Sequence, residues 1–305
     1  MTTRSARVDL TTGVGLNVVE AGPSDAPPVI LLHGFPESHR TWRGLVPLLG
    51  NRLRLIMPDQ RGFGASDQPQ AVGDYEATIL IDDIFALAEA LGIERCVLVG
   101  HDWGGAIAWG AALRGDPRLE RLAIVNAPHP YVFQKSLIED EGQRAAAQYI
   151  NAFKTPGIER YIRGQGLDWF FDKTFADHVA PERLPDADER ARYLADWGRP
   201  GALEAMINWY RAGRMVVPPP GVTVPLPDLL LGAFPAITVP TLVVWGMRDP
   251  ALLPVQLDGL DRLVDDLAIH CLPEAGHFAP WEAPADVAAA LGPFLAAGGA
   301  ARARQ

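Results

Sequence analysis

Cysteine is nearly absent. The 305 residues hold only Cys96 and Cys271, each inside an apolar, β-like run where a cysteine usually behaves as a small core residue, so no disulfide framework is expected. No uninterrupted apolar stretch approaches the roughly 18 residues that a bilayer-spanning helix needs, and the polar start Met1 to Val8 lacks the apolar segment of a secretory signal. These absences set the expectation of a soluble, cytoplasmic protein with no membrane partner. Basic charge is scarce as well: 27 Lys and Arg face 37 Asp and Glu, a formal charge of −10, and the basic residues are dispersed, which argues against a nucleic acid partner. The small cluster Arg302 to Arg304 reads as a frayed C-terminal tail. Histidine and cysteine show no ligand spacing for zinc, and no glycine-rich phosphate or dinucleotide loop stands between a strand and a helix, so neither a metal nor an organic cofactor is expected.

What is present is ordinary for an enzyme-sized domain. A hydrophobic share of 48% over 305 residues supports one large core, or a core with an inserted subdomain, as a monomer or homodimer. Short apolar, β-branched runs alternate with Ala- and Leu-rich segments of helical spacing, the pattern of a mostly parallel sheet covered by helices. The spacing predicts strands at Pro28 to Leu32, Leu53 to Met57, Cys96 to Gly100, Leu122 to Val125, Thr241 to Trp245 and Ala268 to Leu272, and helices at Ile79 to Leu91 and Gly104 to Leu113. Ala6 to Asp9 and Gly15 to Glu20 read as an antiparallel edge pair joined at a glycine-containing turn. From 130 to 235 the β-runs give way to aromatic, helix-like segments ending in the proline-rich stretch Pro218 to Pro227. The chain therefore divides into a first core part (1–129), an inserted helical cap (130–235) and a second core part (236–305), in which the Ala/Gly-rich end after Leu295 reads as a helix terminus and loose tail.

Chemistry concentrates at Val97-Leu98-Val99-Gly100-His101-Asp102-Trp103-Gly104-Gly105, where an apolar strand, a sharp glycine-flanked turn and a helix follow in immediate succession. Such a turn is a nucleophile elbow: Gly100 and Gly104 leave room for it, and the helix start aims N–H groups and a positive dipole end at the site. The elbow has no serine at its centre, but Asp102. A carboxylate is already ionised at neutral pH and can attack an sp³ carbon without a base, giving an ester. Taken alone, Gly-x-Asp-x-Gly also fits an ordinary loop with a capping aspartate.

Hydrolysis of such an ester needs a base for water. His277, in the Gly276-His277 step beyond the last predicted strand, lies where this architecture requires it, and Asp249, after Val243-Val244-Trp245-Gly246, is placed to orient its imidazole. Asn126 holds a rival acid position but cannot supply the charge. His101 reads as support for the turn and His33 as packing under the site, while His39, His129, His178 and His270 carry no readable role. The segment His33-Gly34-Phe35-Pro36 follows the first long buried strand, so the backbone N–H groups of Phe35 and Trp103 are candidates for an oxyanion hole; a plain Gly-Pro turn has the same spacing.

These motifs, together with Asp59-Gln60-Arg61-Gly62-Phe63-Gly64-Ala65-Ser66, resemble the α/β-hydrolase-fold epoxide hydrolases across nearly the whole core. Asn208-Trp209-Tyr210-Arg211 is similar to the cap segment in which that family carries one of two lid tyrosines, and local similarity places the other at Tyr149 in Gln148-Tyr149-Ile150-Asn151. Tyr131, Tyr161 and Tyr193 are fallbacks. The resemblance implies an α/β-hydrolase fold with a helical cap and the conversion of a small apolar epoxide and water to a vicinal diol. Asp102, Asp249, His277, Tyr149 and Tyr210 would then be catalytic, and Phe35, Trp103, Tyr149 and Tyr210 would touch substrate. The related haloacetate dehalogenases are expected to carry arginines and a His-Trp pair where this chain has Trp103, Ala106, Gln148 and Tyr149. A haloalkane dehalogenase with the same aspartate nucleophile stays open, since Trp103 together with Trp169, Trp197 or Trp209 could bind halide.

Overall fold

The computed structural model describes residues 3–300, so the cluster Arg302 to Arg304 lies outside it. Eight strands form one sheet: β1 (Thr3–Asp9), β2 (Gly15–Ala21), β3 (Pro28–Leu32), β4 (Arg54–Pro58), β5 (Cys96–His101), β6 (Leu119–Val125), β7 (Thr241–Gly246) and β8 (Leu267–Leu272), in the order β1-β2-β4-β3-β5-β6-β7-β8. The pairs β1–β2 and β2–β4 are antiparallel; from β4 to β8 every pair is parallel. All the predicted strands form, Pro28–Leu32 with the predicted ends and the others with ends shifted by at most three residues.

Period-two alternation shows why these runs are strands. In β3, Ile30 and Leu32 enter one apolar cluster while Val29 and Leu31 enter the other; in β7, Val243 and Trp245 oppose Leu242 and Val244 in the same way. With helices on both faces, each strand can be apolar throughout. One face carries α2 (Ala77–Ala90) and α3 (Asp102–Arg114); the other carries α1 (Val46–Leu49) and a long C-terminal helix.

Between β6 and β7 the chain leaves the sheet and runs through α4 (Pro130–Glu139), α5 (Glu141–Ala146), α6 (Gln148–Lys154), α7 (Ile158–Gln165), α8 (Leu167–Phe171), α9 (Ala187–Trp197) and α10 (Ala202–Ala212). Three buried polar contacts pin the last two of these helices to core loops. Trp197 Nε1 donates to the Pro36 carbonyl at 2.7 Å, Trp209 Nε1 to the Arg61 carbonyl at 2.9 Å, and the Tyr193 hydroxyl to Glu37 at 2.9 Å.

Two expectations are corrected. Cys271 is exposed, not a core residue like Cys96, because β8 is the outermost strand and four of its six residues, Ala268 to Cys271, face solvent. The C-terminal segment does not end near Leu295: after the short α11 (Ala279–Glu282), helix α12 (Pro284–Ala300) runs through Pro293 and the Ala/Gly stretch. Its buried residues Val287, Leu291 and Leu295 recur every four positions against the sheet, and that stripe outweighs weak local propensity.

Candidate active site

The site lies beyond the carboxyl ends of the parallel strands, where an open α/β sheet leaves a crevice. Asp102 follows β5 directly, at φ 50°. A side chain in that left-handed region is strained, and it persists only where its surroundings leave no alternative. The glycines beside it supply that constraint: a Cβ on Gly104 would stand 2.2 Å from the Leu32 carbonyl oxygen, and one on Gly100 would stand 2.5 Å from the Gly105 Cα. The elbow is thus wedged between its own helix and β3.

Two partners divide the Asp102 carboxylate. Oδ1 accepts the Phe35 N–H at 2.7 Å, and Oδ2 lies 3.6 Å from Nε2 of His277. On the other side of the imidazole, Nδ1 is 2.7 Å from Oδ2 of Asp249. Asp249 is itself fully engaged: its Oδ1 accepts the N–H groups of Ala251 (2.9 Å) and Leu252 (2.8 Å), and its Oδ2 also accepts Asn126 Nδ2 (2.8 Å). Asp102, His277 and Asp249, separated by up to 175 residues in sequence, therefore form one continuous chain of contacts.

Burial would raise the Asp102 carboxyl, but contact with His277 and the Phe35 N–H outweighs it and holds the group below the usual carboxylate range. For His277 burial acts to lower the pKa, and the two flanking carboxylates overcome it and hold the imidazole well above its ordinary value. His277 thus stands between two carboxylates that both favour its charged form.

Asn126, passed over because it carries no charge, turns out to serve the acid. It sits at φ 42° after β6, gives its Nδ2 to Asp249 and accepts the Gly246 N–H at 2.8 Å through Oδ1. An amide can donate to the carboxylate and accept from the backbone at once, which a carboxylate could not. Glu282 likewise escaped sequence reading; its carboxylate accepts the N–H of Gly276 at 3.1 Å and of Phe278 at 2.8 Å, bracketing His277 on both sides. The only signal for it was a glutamate five residues beyond the histidine.

His101 supports the site from beneath. Its Nε2 donates to the His277 carbonyl at 2.8 Å, which leaves Nδ1 facing Glu37 Oε2 at 3.6 Å. Burial raises the Glu37 carboxyl and pushes His101 down to about 4. His33 lies under the crevice with Nδ1 2.9 Å from the Gly34 carbonyl and Nε2 accepting the Gln60 N–H at 3.0 Å. Of the histidines without a readable role, His39 pairs with buried Asp59 at 2.7 Å, His129 caps α4, His178 lines the cavity described next and His270 is exposed on β8.

Above Asp102 opens a cavity of about 460 Å³ whose walls are mainly aromatic and aliphatic; Phe35, Tyr149, Phe153, Trp169, Phe170 and Tyr210 line it together with Asp102 and His277. The two tyrosines meet nearly perpendicularly, with ring centroids 6.1 Å apart. Burial first, with the nearby negative charge of Asp102 adding to it, raises both phenols above their ordinary value and keeps them protonated. Trp103, expected to touch substrate, is not part of the cavity wall: its indole packs edge-on against Trp209 and Tyr210 at 5.8 and 5.1 Å. Trp197 and Trp209 spend their indole N–H groups on backbone carbonyls, and only Trp169 of the three expected halide candidates lines the cavity. Among the fallback tyrosines, Tyr193 serves Glu37, Tyr131 packs on Phe234, and Tyr161 lies on the cavity wall but is 55% exposed. Among the described residues no group of three or more His, Cys, Asp or Glu is arranged to hold a metal ion, and no helix is long and apolar enough to cross a membrane.

Residues 27–284 match the family profile of the alpha/beta hydrolase fold. The chain is 36% identical over 279 residues to the AB hydrolase superfamily protein YfhM of Bacillus subtilis, covering 91% of this chain and 93% of that one. It is 31% identical to epoxide hydrolase A of Mycobacterium tuberculosis, covering 93% and 95% respectively. A solved structure from work on novel epoxide hydrolases of the alpha/beta hydrolase superfamily in hot-environment metagenomes superimposes with a TM-score of 0.88 at 45% identity, over 97% of this chain and 99% of that one.

Proposed function

The chain belongs to the α/β-hydrolase-fold epoxide hydrolase family, and from that premise we propose that it converts an apolar epoxide to a vicinal diol through an ester on Asp102. The observation that carries the reading is the division of labour within the Asp102 carboxylate, with Oδ1 on the Phe35 N–H and Oδ2 beside His277, under a cavity that also holds Tyr149 and Tyr210. Oδ2 is the nucleophile. It attacks one ring carbon as the C–O bond opposite breaks, while the phenols of Tyr149 and Tyr210 bind the ring oxygen and one of them gives it a proton. The product of this step is a hydroxyalkyl ester.

Water then attacks the ester carbonyl carbon, giving its proton to His277 Nε2. Negative charge develops on Oδ1, already held by the Phe35 N–H; the backbone N–H of Trp103, at the start of α3, is the expected second donor. Collapse of the tetrahedral intermediate releases the diol, whose departing oxygen takes the proton back from His277; the second proton of the water leaves Asp102 as the carboxylate is restored and returns to the phenolate left on the cap tyrosine. Asp249 keeps the imidazole oriented and stabilises its charged form. Diol formation from aromatic and aliphatic epoxides, measured beside halide release from haloalkanes and fluoroacetate, tests the assignment: wild type should yield diol and Asp102→Ala none. Halide release without epoxide turnover would reassign the substrate to a dehalogenase reaction on the same aspartate, and activity surviving in Asp102→Ala would overturn the mechanism. The commitment of the Trp197 and Trp209 indoles to backbone carbonyls favours the epoxide over the halide.

A further inference from the structure

We propose that Gln143, on cap helix α5, is a positioning residue for the Asp249–His277 pair, coupling the helices above the cavity to the hydrolytic half of the reaction. The inference rests on the reading of these two residues given above. Gln143 is fully buried and touches neither the cavity nor the reacting groups. Its Nε2 donates to the Ala251 carbonyl at 2.8 Å, and its Oε1 accepts the Leu253 N–H at 2.8 Å. One side-chain amide thus straddles Leu252 as a neighbouring strand would. The orientation of the amide is fixed by chemistry, because a backbone carbonyl needs a donor and a backbone N–H an acceptor.

The segment so held has a second task. Ala251 and Leu252 turn their own N–H groups onto Oδ1 of Asp249 at 2.9 and 2.8 Å, while Oδ2 receives His277 Nδ1. The carbonyl and amide groups of residues 251 to 253 therefore point alternately to Gln143 and to the acid. Gln143 is in turn fixed at both ends. Its backbone N–H is capped by Asp140 Oδ1 at 2.6 Å, and its Oε1 accepts Gln256 Nε2 at 3.0 Å. Gln256 Nε2 also donates to Ser136 Oγ on α4 at 2.7 Å. Such a buried polar network is costly to leave half satisfied, so it resists rearrangement. The same stretch of chain leads within a few residues to Ala146 and Tyr149 on the cavity wall, and Pro250 and Ala251 line that wall from the core side. A shift of this part of the cap is thereby transmitted to the acid loop.

The test compares wild type, Gln143→Leu, which is of similar volume and removes both hydrogen bonds to residues 251–253 together with the one from Gln256, and Gln143→Glu, which keeps the acceptor for Leu253 and loses the donor to Ala251. Two readouts are needed. In single turnover with an epoxide, alkylation of Asp102 should stay within about threefold in Gln143→Leu while ester hydrolysis slows on the order of 10- to 100-fold, with Gln143→Glu intermediate. In the resting protein, with no substrate, the downfield Nδ1 proton resonance of His277 should move upfield and the His277 titration should shift to lower pH, because a displaced Asp249 stabilises the imidazolium less. A resonance and titration unchanged in a folded Gln143→Leu protein would overturn the proposal, as would equal loss of both steps. Should Gln143→Leu not fold, Gln143→Glu decides by the same two readouts. If wild type turns over no epoxide the assigned reaction fails, and the substrate-free resonance still tests Gln143.

Discussion

In the proposed reaction, the resting state at Asp102 and His277 suits the first step better than the second. A carboxylate held below its ordinary range is ready to attack, while the two carboxylates beside His277 favour its charged form, which cannot accept a proton from water. Esterification removes one of the two negative charges that hold the proton on His277, so the pKa falls when the base is required. Alkylation should therefore be nearly independent of pH through the neutral and mildly acidic range. Ester hydrolysis should fall about tenfold per pH unit below the pKa of His277 in the intermediate, so that the ester accumulates in acid. Single-turnover kinetics with mass detection of the ester checks this; parallel loss of both steps would sink it. In the proposed mechanism the phenols act on the other half of the reaction. Tyr149→Phe and Tyr210→Phe should each slow alkylation by about 10- to 100-fold, the remaining phenol sustaining part of the rate, while pre-formed ester hydrolyses at an unchanged rate.

At the scale of elements, the elbow between β5 and α3 turns a strand-to-helix junction into a mount for Asp102, the proposed nucleophile. Its cost is the positive φ of Asp102, and the wedge between Gly104 and β3 holds it there. Gly104→Ala should cost about 3 kcal/mol in urea unfolding, by overpacking against the Leu32 carbonyl, and lower kcat on the order of 100-fold by displacing the nucleophile. Gly115, which ends α3 at φ 71° with open space around it, provides the contrast: Gly115→Ala should cost about 1 to 2 kcal/mol of backbone strain and leave kcat unaltered. The elbow, Asp102, His277 and Asp249 were legible because a strand, a tight turn and a polar residue in register leave a local pattern. The polar residues that hold Asp249, its loop and the His277 backbone were not. Asn126, Gln143 and Glu282 sit in segments whose local sequence looks ordinary, and their importance comes from neighbours brought close by the sheet and the cap.

For the molecule as a whole, three buried histidines make acid stability predictable. Burial pushes His33, His101 and His129 down to about 4, below the value of about 6.5 that an unfolded chain would give. A depressed histidine adds stability that is fully present above the unfolded pKa and is lost as pH falls toward the folded one, because the unfolded state binds protons first. The stability of the protein should thus decline between about pH 6.5 and 4, partly offset by Glu37, whose raised carboxyl favours the folded state as pH falls. Thermal unfolding across that window checks the sign, and a Tm that rises toward pH 4 would contradict it. The window opens in the range where ester hydrolysis slows, so loss of turnover in mild acid should precede loss of fold.

The sequence by itself determined the sheet strands, the elbow, the order in the chain of Asp102, Asp249 and His277, and the family, because each is written in local periodicity or in short motifs. It also held the two phenols of the cap, through resemblance. Only the tertiary structure decided that Cys271 lies on an exposed edge, that α12 runs on through Pro293, that Trp103 supports the cavity without lining it, and that Trp197 and Trp209 bolt the cap to core loops. These outcomes depend on which strand is outermost, which stripe finds an apolar face and which buried donor meets which carbonyl. Those are relations between residues far apart in the chain, and no local pattern encodes them.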